Sequence, residues 1–240
     1  MKEKRQEQLE KLEEEREDND VGDVEMGQSA FESYQSKCIY FSIESGGPTS
    51  RDHPDKVSET TSMHAVDLPK PKHQIALPRE IIEQGLLSTL QLESIIYASL
   101  SQENFLPLGA NSDAPQTRYG FLLGDGAGMG KGRQIAGLFY ENCLRGRNKG
   151  CWFSISSDLS VDCRRDFDDI GFAGLNLHNF KNFSANENIK AIDGVLFSTY
   201  NLLSQKAQRG KKVCRLDRIV EWLGTDFEGL LVFDESHKGS

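Results

Sequence analysis

The chain has 240 residues, 37% of them hydrophobic, which is enough for one compact domain and a tail. Its formal net charge of -9 excludes the global positive field that drives non-specific nucleic-acid binding, so any contact with DNA or RNA must be local. Five scattered cysteines without C-x-x-C spacing indicate neither a disulfide framework nor a zinc site. No apolar stretch suits a secretory signal or a membrane span, so we expect a soluble intracellular protein.

The first 73 residues differ in composition from the rest. Residues 1–20 are mostly Lys, Arg, Glu and Gln with sparse apolar positions, which favours a solvated helical or disordered arm. A partner-binding coiled coil would require several heptads. Residues 21–73 are rich in Ser, Thr, Gly, Asp and Pro and predict an extended linker. The folded lobe is therefore expected at 74–240.

Helices and strands alternate in the pattern of that lobe. Two helices are predicted first, one opened by Pro78 and one capped by Ser88. The run Tyr119–Leu123 is short and apolar and stops at glycines, which predicts a buried strand. There follow a helix from Lys131 to about Leu144, a strand at Cys151–Ile155, a helix capped near Ser157 or Asp158, a strand at Gly194–Thr199, a helix around Leu216–Leu223 and a strand at Leu230–Phe233. This order predicts an α/β fold, a mostly parallel sheet with helices on both faces.

Glycines occupy positions 124, 126, 128, 130 and 132, between a predicted strand and a predicted helix. Glycine permits positive φ angles and close backbone approach, and a helix N-terminus directs N–H groups at an anion. Gly124–Arg133 is therefore predicted to be a phosphate loop in which Lys131 bridges the β and γ phosphates of ATP. The loop departs from G-x-x-x-x-G-K-[ST] at Asp125 and at Gly132, which replaces the Ser or Thr that ligates Mg²⁺. The alternative is a glycine-rich turn with an exposed lysine.

A second motif lies at the end of the last predicted strand. Asp234 and Glu235 follow an apolar run, at the sheet edge where ligands of parallel sheets bind. Asp234 is predicted to hold Mg²⁺ through water, and Glu235 to orient and deprotonate the attacking water. His237 would couple the nucleotide state to a partner; alternatively it is a surface histidine and the acidic pair is a helix N-cap. The predicted catalytic residues are Lys131, Asp234, Glu235 and His237.

Six blocks of the sequence resemble those of a known family. In chain order they are HPDKVSETTSMHAV, LSTLQLESIIYAS, GFLLGDGAGMGKGRQIAGLFYENCL, WFSISSDLSVDCRRDFDDIG, FSTYNLL and DFEGLLVFDESHK. Over roughly His53 to Lys238 the chain resembles the strawberry notch proteins, helicase-like nuclear regulators of transcription within superfamily two. The resemblance implies a RecA-like P-loop NTPase lobe. That family also has Gly-Lys-Gly-Arg in its phosphate loop, so the lack of a Ser or Thr at Gly132 is no argument against ATP binding. It usually has Cys where Ser236 stands, a change that we expect to leave phosphate chemistry unaffected.

The resemblance also implies roles for single residues. Gln91 resembles the glutamine that reads adenine in superfamily-two helicases, although an ordinary exposed helix glutamine is the alternative. Ser156, Ser157, Arg164 and Thr199 lie in segments that resemble nucleic-acid contacts, although a solvated helix face explains Arg164 equally well. Together with Gln91, the residues predicted to bind the nucleotide are those of the phosphate loop, Gly126, Gly128, Gly130, Lys131, Gly132 and Arg133.

The resemblance implies ATP and Mg²⁺ as cofactors, transcription or chromatin proteins as partners, and a nuclear location. Superfamily-two engines hydrolyse ATP between two lobes, the second of which supplies arginines. Because the sequence stops at Ser240, we expect a truncated first lobe that binds ATP and hydrolyses it poorly. Two alternatives are a non-hydrolysing scaffold for transcription factors and, less favoured, a small-molecule P-loop kinase.

Overall fold

The computed structural model describes residues 31–36, 38, 49–107, 116–184, 188–190, 193–204 and 214–238. The predicted arm at 1–20 lies outside these residues. The chain divides into two compact units, one formed by residues 1–34 and 57–66 and the other by residues 35–56 and 67–240. Gly124–Arg133 and the pair Asp234 and Glu235, the two motifs for which phosphate chemistry is predicted, belong to the second unit.

The first unit contains a small antiparallel strand pair within the region predicted to be an extended linker. Strand β1 (Phe31–Ser33) pairs with β2 (Ser58–Thr60), and helix α1 (Thr61–His64) follows directly. The Thr60 hydroxyl caps this helix by accepting a hydrogen bond from the Met63 amide. His64 Nε2 lies 3.3 Å from Glu32 Oε2, so a side-chain contact joins the helix to β1.

The described residues of the second unit form six α-helices, and local capping explains where several of them begin. Ser88 and Gln91 form a capping box at the start of the second of these helices, as the Ser88 cap predicted. Cys214 and Asp217 form another at the last one. The helices are α2 (Arg79–Glu83), α3 (Thr89–Gln102), α4 (Lys131–Leu144), α5 (Leu159–Asp169), α6 (Tyr200–Leu203) and α7 (Arg215–Leu223).

Among the described residues, four parallel strands form the sheet of the second unit. They are β3 (Lys149–Ser154), β4 (Leu177–Asn179), β5 (Gly194–Thr199) and β6 (Leu230–Phe233), in the spatial order β4-β5-β3-β6. Ser154 pairs with Thr199, and Phe153 pairs with Phe233. The carboxyl ends of the three longer strands therefore meet at one edge of the sheet, where ligands of open parallel sheets bind.

Apolar side chains cover both faces of this sheet. Successive strand residues point to opposite faces, so Trp152 and Phe197 pack towards α3, α4 and α5, while Phe153 and Leu196 pack towards α7. Phe139 of α4 stacks on Trp152 with ring centroids 6.2 Å apart. Each fully buried side chain of this size stabilises the fold by about 1.5–3 kcal/mol. The predicted parallel α/β fold with helices on both faces is confirmed.

A buried ion cluster joins residues 73–77 to helix α4. Glu141 is fully buried and accepts hydrogen bonds from Ala76 N at 2.8 Å and Leu77 N at 3.1 Å. The buried His73 ring approaches the same carboxylate at 2.9 Å, and Arg145 Nε donates to it at 2.7 Å. Four groups therefore satisfy a carboxylate that would otherwise be costly to bury.

The prediction of a buried strand at Tyr119–Leu123 is wrong. Only the neighbouring Arg118 forms a bridge, an isolated one to Phe105, and Leu122 is 85% exposed. An apolar run becomes a strand only if another strand pairs with its backbone. Within the described residues β6 pairs with β3 alone, and no strand pairs with 119–123, although Tyr119 N donates to Asn104 O at 3.0 Å. Strand β3 also ends at Ser154, one residue before the predicted end, because Ile155 turns outwards and is 37% exposed.

Within the same described residues, every helix is too short or too polar to cross a bilayer.

Candidate functional site

The glycine-rich segment leads into helix α4 through two residues with positive φ. Gly128 has φ +85° and Gly130 has φ +69°, a region that residues with a Cβ rarely adopt. Gly130 is the N-cap of α4 and supplies no side chain to the first turn. The N–H groups and the positive end of a 14-residue helix therefore point out of the loop without a side-chain cap.

Lys131 lies across the loop that precedes it. Its ammonium Nζ donates to the carbonyl oxygens of Asp125 and Gly126, each at 3.0 Å. The predicted phosphate-binding cation is thus held on the inner side of the loop by backbone carbonyls. A phosphate group placed there would exchange these two neutral acceptors for charged ones.

Asp125 replaces the first glycine of the usual motif and holds the loop through its side chain. Gln134, which is buried on the second turn of α4, donates from Nε2 to Asp125 Oδ2 at 2.7 Å. Among the described residues, Gln134 Oε1 has no hydrogen-bond partner although it is buried. An unsatisfied buried oxygen beside the loop indicates a place where a donor of a ligand or of water belongs.

Gln91 is buried beneath the loop and uses both ends of its amide on the protein. Its Oε1 accepts from Ser88 N at 3.0 Å, and its Nε2 donates to Met129 O at 3.1 Å. A Cβ built on Gly130 would collide with the same Nε2, so the fit requires glycine there. Gln91 therefore positions the phosphate loop, and its role in reading adenine stays a prediction.

Arg133 points away from the loop carbonyls towards helix α5. Its Nη2 forms an ion pair with Asp169 Oδ2 at 2.6 Å. Gly132 also faces α5, because a Cβ built on it would lie 2.8 Å from Asp166 Cγ. Both residues thus contribute to the contact between α4 and α5, and their predicted part in holding the nucleotide stays a prediction.

The acidic pair lies where the predicted magnesium-side motif placed it, after β6. Asp234 N donates to Phe153 O at 2.9 Å, which continues the ladder one residue beyond the strand. Ser154 Oγ donates to Asp234 Oδ2 at 3.0 Å, and Tyr200 Oη donates to Asp234 O at 2.8 Å. Ser154 of β3 therefore holds the carboxylate of Asp234, and Tyr200 of α6 holds its backbone carbonyl. Burial raises the pKa of Tyr200, and the charges of Asp234 and Glu235 raise it further.

Glu235 has a backbone conformation that glycine usually adopts. Its φ of +51° is the one positive value at a non-glycine position within the described ranges. Such conformations cost about 1–3 kcal/mol and are concentrated at functional sites. His237 Nδ1 lies 3.6 Å from Glu235 Oε2, and its side chain is 69% exposed. His237 is thus close to the acidic pair, although its predicted coupling role remains a prediction.

One cavity brings the two motifs together. It has a volume of about 1050 Å³, and its walls include Asp125, Lys131 and Gln134 on one side and Asp234 and Glu235 on the other. The exposed segment 119–123 and the outer side of β6 line the same cavity. A cavity of this size matches the upper range of small-molecule sites.

The residues predicted to contact nucleic acid lie at or near the same sheet edge. Ser156 and Ser157 form the turn before α5, and Thr199 caps α6 by accepting from Leu202 N at 3.3 Å. Arg164 Nη2 donates to Leu175 O at 2.9 Å, within its own part of the fold. The hydroxyls therefore share an edge with Asp234, whereas Arg164 already has a structural partner.

The donor set of the cavity fits a magnesium nucleotide. Carboxylates suit Mg²⁺, and an ammonium beside an uncapped helix N-terminus suits phosphate. A Cβ built on Gly126 or Gly128 would meet no atom within 4 Å, so no other part of the protein packs against these two glycines. Within the described residues no cluster of three or more His, Cys, Asp or Glu forms a ready-made metal site. This is expected where phosphate oxygens complete the shell.

Several residues of this site are not among those that the motifs predict. Ser154 and Tyr200 hold Asp234, and Gln134 holds Asp125. Ser154 is the last residue but one of the predicted strand Cys151–Ile155, so its place near the carboxyl edge was a usable signal. Gln134 carries no such signal, because its role depends on how the loop folds back onto α4.

The comparison with known proteins agrees with this geometry. The family model described as "P-loop containing NTP hydrolase pore-1" matches residues 52–240. "Protein strawberry notch homolog 1" of Gallus gallus is 45% identical over 192 residues, which cover 78% of this chain and 15% of that protein. "Protein strawberry notch" of Drosophila melanogaster is 45% identical over 195 residues, or 78% of this chain and 11% of that protein. "Protein FORGETTER 1" of Arabidopsis thaliana is 43% identical over 190 residues, with coverage of 78% and 14%.

The chain thus spans 11 to 15% of the length of these relatives. The matched region includes both the phosphate loop and the acidic pair, and it confirms the resemblance to the strawberry notch proteins. The chain belongs to the family of P-loop containing NTP hydrolase pore-1 proteins.

Proposed function

We propose that the second unit of this chain binds ATP with Mg²⁺ as the nucleotide-binding lobe of a helicase-like protein. One observation carries the proposal: Lys131 and the carboxylates of Asp234 and Glu235 line the same cavity. A phosphate-binding cation and a magnesium-side acidic pair on one cavity are the two halves of a P-loop site.

Each group has a distinct part in this proposal. Lys131 leaves its loop carbonyls and binds the β and γ phosphates, while the first turn of α4 directs its N–H groups at them. Asp234, held by Ser154 and Tyr200, would hold Mg²⁺ through water, and Glu235 would position the attacking water. Bound Mg²⁺ would neutralise charge on the phosphate oxygens.

Slow hydrolysis by this chain is part of the proposal. Two arginines line the cavity, and both already have partners. Arg118 Nη2 donates to Glu228 at 3.1 Å, and Arg147 Nε donates to Asn142 Oδ1 at 2.6 Å. An arginine that stabilises the transition state raises phosphoryl-transfer rates by about 10³–10⁵. Because both guanidinium groups are bound to other side chains, we expect this chain to bind ATP and to hydrolyse it slowly.

Equilibrium titration with a fluorescent ATP analogue tests the binding. Lys131→Ala is expected to weaken binding by about tenfold or more, since it removes a charged hydrogen-bond donor worth roughly 1.5–3 kcal/mol. Lys181→Ala, at an exposed lysine outside the cavity, is the matched control and should bind as the wild type does. Equal affinities for the wild type and Lys131→Ala would refute the phosphate-loop assignment.

The similarity to strawberry notch proteins supports a further part of the proposal, a role in transcription or chromatin regulation in the nucleus with protein partners. The net charge of -9 gives no support to a broad DNA-binding surface, so protein contacts are the favoured route to chromatin. Imaging of the full-length protein in cells is the first test. Exclusion from the nucleus would contradict this part of the proposal and leave nucleotide binding intact.

A non-hydrolysing scaffold with the same fold is distinguished by catalysis in a longer chain. If the full-length protein hydrolyses ATP and Glu235→Gln abolishes the hydrolysis, the protein is an ATPase. Unchanged partner binding together with no measurable hydrolysis would favour the scaffold.

A further inference from the structure

Two buried glutamine side chains from different helices hold the phosphate loop at the same carbonyl. Gln91 of α3 donates from Nε2 to Met129 O at 3.1 Å, and Gln134 of α4 donates to the same oxygen in a longer contact of 3.4 Å. Gln134 Nε2 also donates to Asp125 Oδ2 at 2.7 Å. The two amides therefore hold the loop at two points, Asp125 and Met129.

The contact at Asp125 also bears on the phosphate-binding cation. Lys131 Nζ donates to the backbone carbonyls of Asp125 and Gly126, each at 3.0 Å. Because Gln134 holds the side chain of Asp125, it also limits where the Asp125 carbonyl lies, and with it the position of the ammonium group. Asp125, Lys131 and Gln134 all line the same cavity as the acidic pair. Gln134 is therefore in a place to position Lys131.

The contact at Met129 fixes the direction of a backbone N–H group. Met129 lies between Gly128 and Gly130, whose φ angles are +85° and +69°, and glycine leaves the backbone free to turn unless a neighbour holds it. The described residues contain no cis peptide bond, so the Met129 carbonyl and the Gly130 N–H point in opposite directions. Since the carbonyl points to Gln91, the Gly130 N–H points to the other side of the loop. Such N–H groups at the start of a helix bind phosphate.

The side-chain amide of Gln91 is already used on both of its polar atoms. Oε1 accepts from Ser88 N at 3.0 Å, and Nε2 donates to Met129 O. Gln91 is 5% exposed, and it is not among the described residues that line the cavity. An amide that reads adenine has to direct its oxygen and its nitrogen at the ring. A base could therefore bind Gln91 only by displacing both of these backbone contacts.

We propose that Gln91 and Gln134 are positioning residues of the phosphate loop, and that Gln91 contributes to nucleotide binding through the triphosphate and not through the base. This inference rests on the proposed nucleotide binding. It differs from the adenine-reading role that the family resemblance implies for Gln91, and that role is the competing explanation.

Three ligands separate the two explanations: a fluorescent ATP analogue, the matching GTP analogue, and inorganic tripolyphosphate as a competitor of either. Gln91→Met keeps the length of the side chain and removes both hydrogen bonds. We expect the affinities for all three ligands to fall by the same factor, about tenfold. A loss confined to the ATP analogue, or no loss for any ligand, would overturn the inference.

Ser88→Ala is the matched control for damage to helix α3. It removes the hydroxyl that accepts from Gln91 N at 3.4 Å but leaves the contact of Gln91 with Met129 O in place. The loss of this cap should lower the Tm by about 2–4 °C, with the affinities for all three ligands unchanged. If Ser88→Ala weakens binding as much as Gln91→Met does, the effect comes from the helix and the inference fails.

Gln91→Glu separates the two hydrogen bonds of the amide. The new carboxylate still accepts from Ser88 N, so the capping box is kept, but it cannot donate to Met129 O. Binding should be weak near about pH 8. It should recover, relative to the wild type, as the pH is lowered to about 5.5, because a buried carboxyl beside a carbonyl oxygen favours its protonated form, which can donate. A ratio to the wild type that does not change with pH would contradict a role for this donor.

Gln134→Met tests the second amide with the same three ligands. It should weaken all of them by a common factor, since the loop loses its hold at Asp125. Binding equal to that of the wild type would refute the assignment of Gln134. A wild-type chain that binds the ATP analogue but neither of the other ligands would overturn the inference and leave nucleotide binding intact. A wild-type chain that binds none of the three would instead refute the proposed function.

Discussion

Strand β5 and the segment Tyr119–Leu123 are both short apolar runs that lead towards the candidate site, yet only β5 is buried. Phe197 of β5 is 1% exposed and lies between β4 and β3, whereas Leu122 is 85% exposed. The two runs have similar side chains. The difference is that β5 has a paired strand on each side and Tyr119–Leu123 has none among the described residues.

The comparison shows which parts of the fold the sequence determines locally. The predicted bounds of β5, β6 and α4 agree with the structure, because their patterns are long enough or clearly bounded. The ladder partner of an apolar run depends on distant residues, so no local pattern predicts that Tyr119–Leu123 stays unpaired. The short strand β4 and helix α6 escaped prediction for a related reason, since three or four residues carry little periodicity.

Truncating one side chain in each run tests the comparison most strongly. Phe197→Ala leaves a cavity between the sheet and the helices and should lower the free energy of unfolding by about 3–5 kcal/mol. Leu122→Ala, as the matched control, should change it by less than about 0.5 kcal/mol, since the side chain is exposed. Urea denaturation measures both.

Amide hydrogen exchange gives an independent check of the same contrast. Residues 194–199 should exchange only on global unfolding, and residues 119–123 should exchange by local opening. Slow exchange across both segments, together with a loss above about 2 kcal/mol in Leu122→Ala, would mean that Tyr119–Leu123 is packed in solution.

The next largest effect on stability is expected from the buried ion cluster around Glu141. This cluster holds α4 in place, whereas no strand pairs with the segment before the phosphate loop. Glu141→Gln should lower the free energy of unfolding by about 3 kcal/mol, because breaking a buried ion cluster leaves charges without a partner. Glu83→Gln removes an exposed i,i+4 pair with Arg79 and should change it by less than about 0.5 kcal/mol. Equal effects in thermal or urea unfolding would rule out the cluster as the anchor of α4.

The same cluster predicts an acid dependence of stability. Burial alone would raise the pKa of Glu141, but hydrogen bonds from His73, Arg145 and Ala76 outweigh it and hold the pKa below its ordinary value of 4.5. The carboxylate therefore stabilises the fold above that pH, and the stabilisation is lost as the pH falls through the lower, folded-state pKa. The stability difference between the wild type and Glu141→Gln should shrink in that acid range. A difference that stays constant would contradict the sign of this shift.

The smallest effect is expected inside the phosphate loop. Gly128→Ala should destabilise the fold by about 1 kcal/mol, because φ is +85° there although the space around a Cβ is open. Gly126→Ala, which also meets no atom but has no such φ, is the control and should be close to neutral. Urea denaturation of the two variants side by side measures the cost of the backbone conformation alone, and a neutral Gly128→Ala would show that the loop conformation is not fixed.

The candidate site could be predicted in part for the same physical reasons as the fold. Lys131, Asp234 and Glu235 belong to motifs whose chemistry is read from residue type and spacing, and the structure places them on one cavity. Gln134 and Tyr200 hold Asp125 and Asp234 through hydrogen bonds that span 9 and 34 positions of the chain, and residue type and spacing do not reveal these contacts. Gln91 is an intermediate case. The family resemblance identifies the residue, but in the structure its side-chain amide is hydrogen-bonded to Ser88 N and Met129 O.

The contact between the Lys131 ammonium and two carbonyl oxygens of its own loop has a consequence for selectivity. The two carbonyl oxygens compete with a ligand for the Lys131 ammonium group. An anion therefore binds there only if its hydrogen bonds to the ammonium are stronger than those of the carbonyls. Charged hydrogen bonds are worth roughly 1.5–3 kcal/mol each, so an ion that makes only one such contact gains little by the exchange. We therefore expect an anion with several charged oxygens in reach of Lys131 and the first turn of α4, such as a triphosphate, to displace the carbonyls more readily than an anion that makes a single contact.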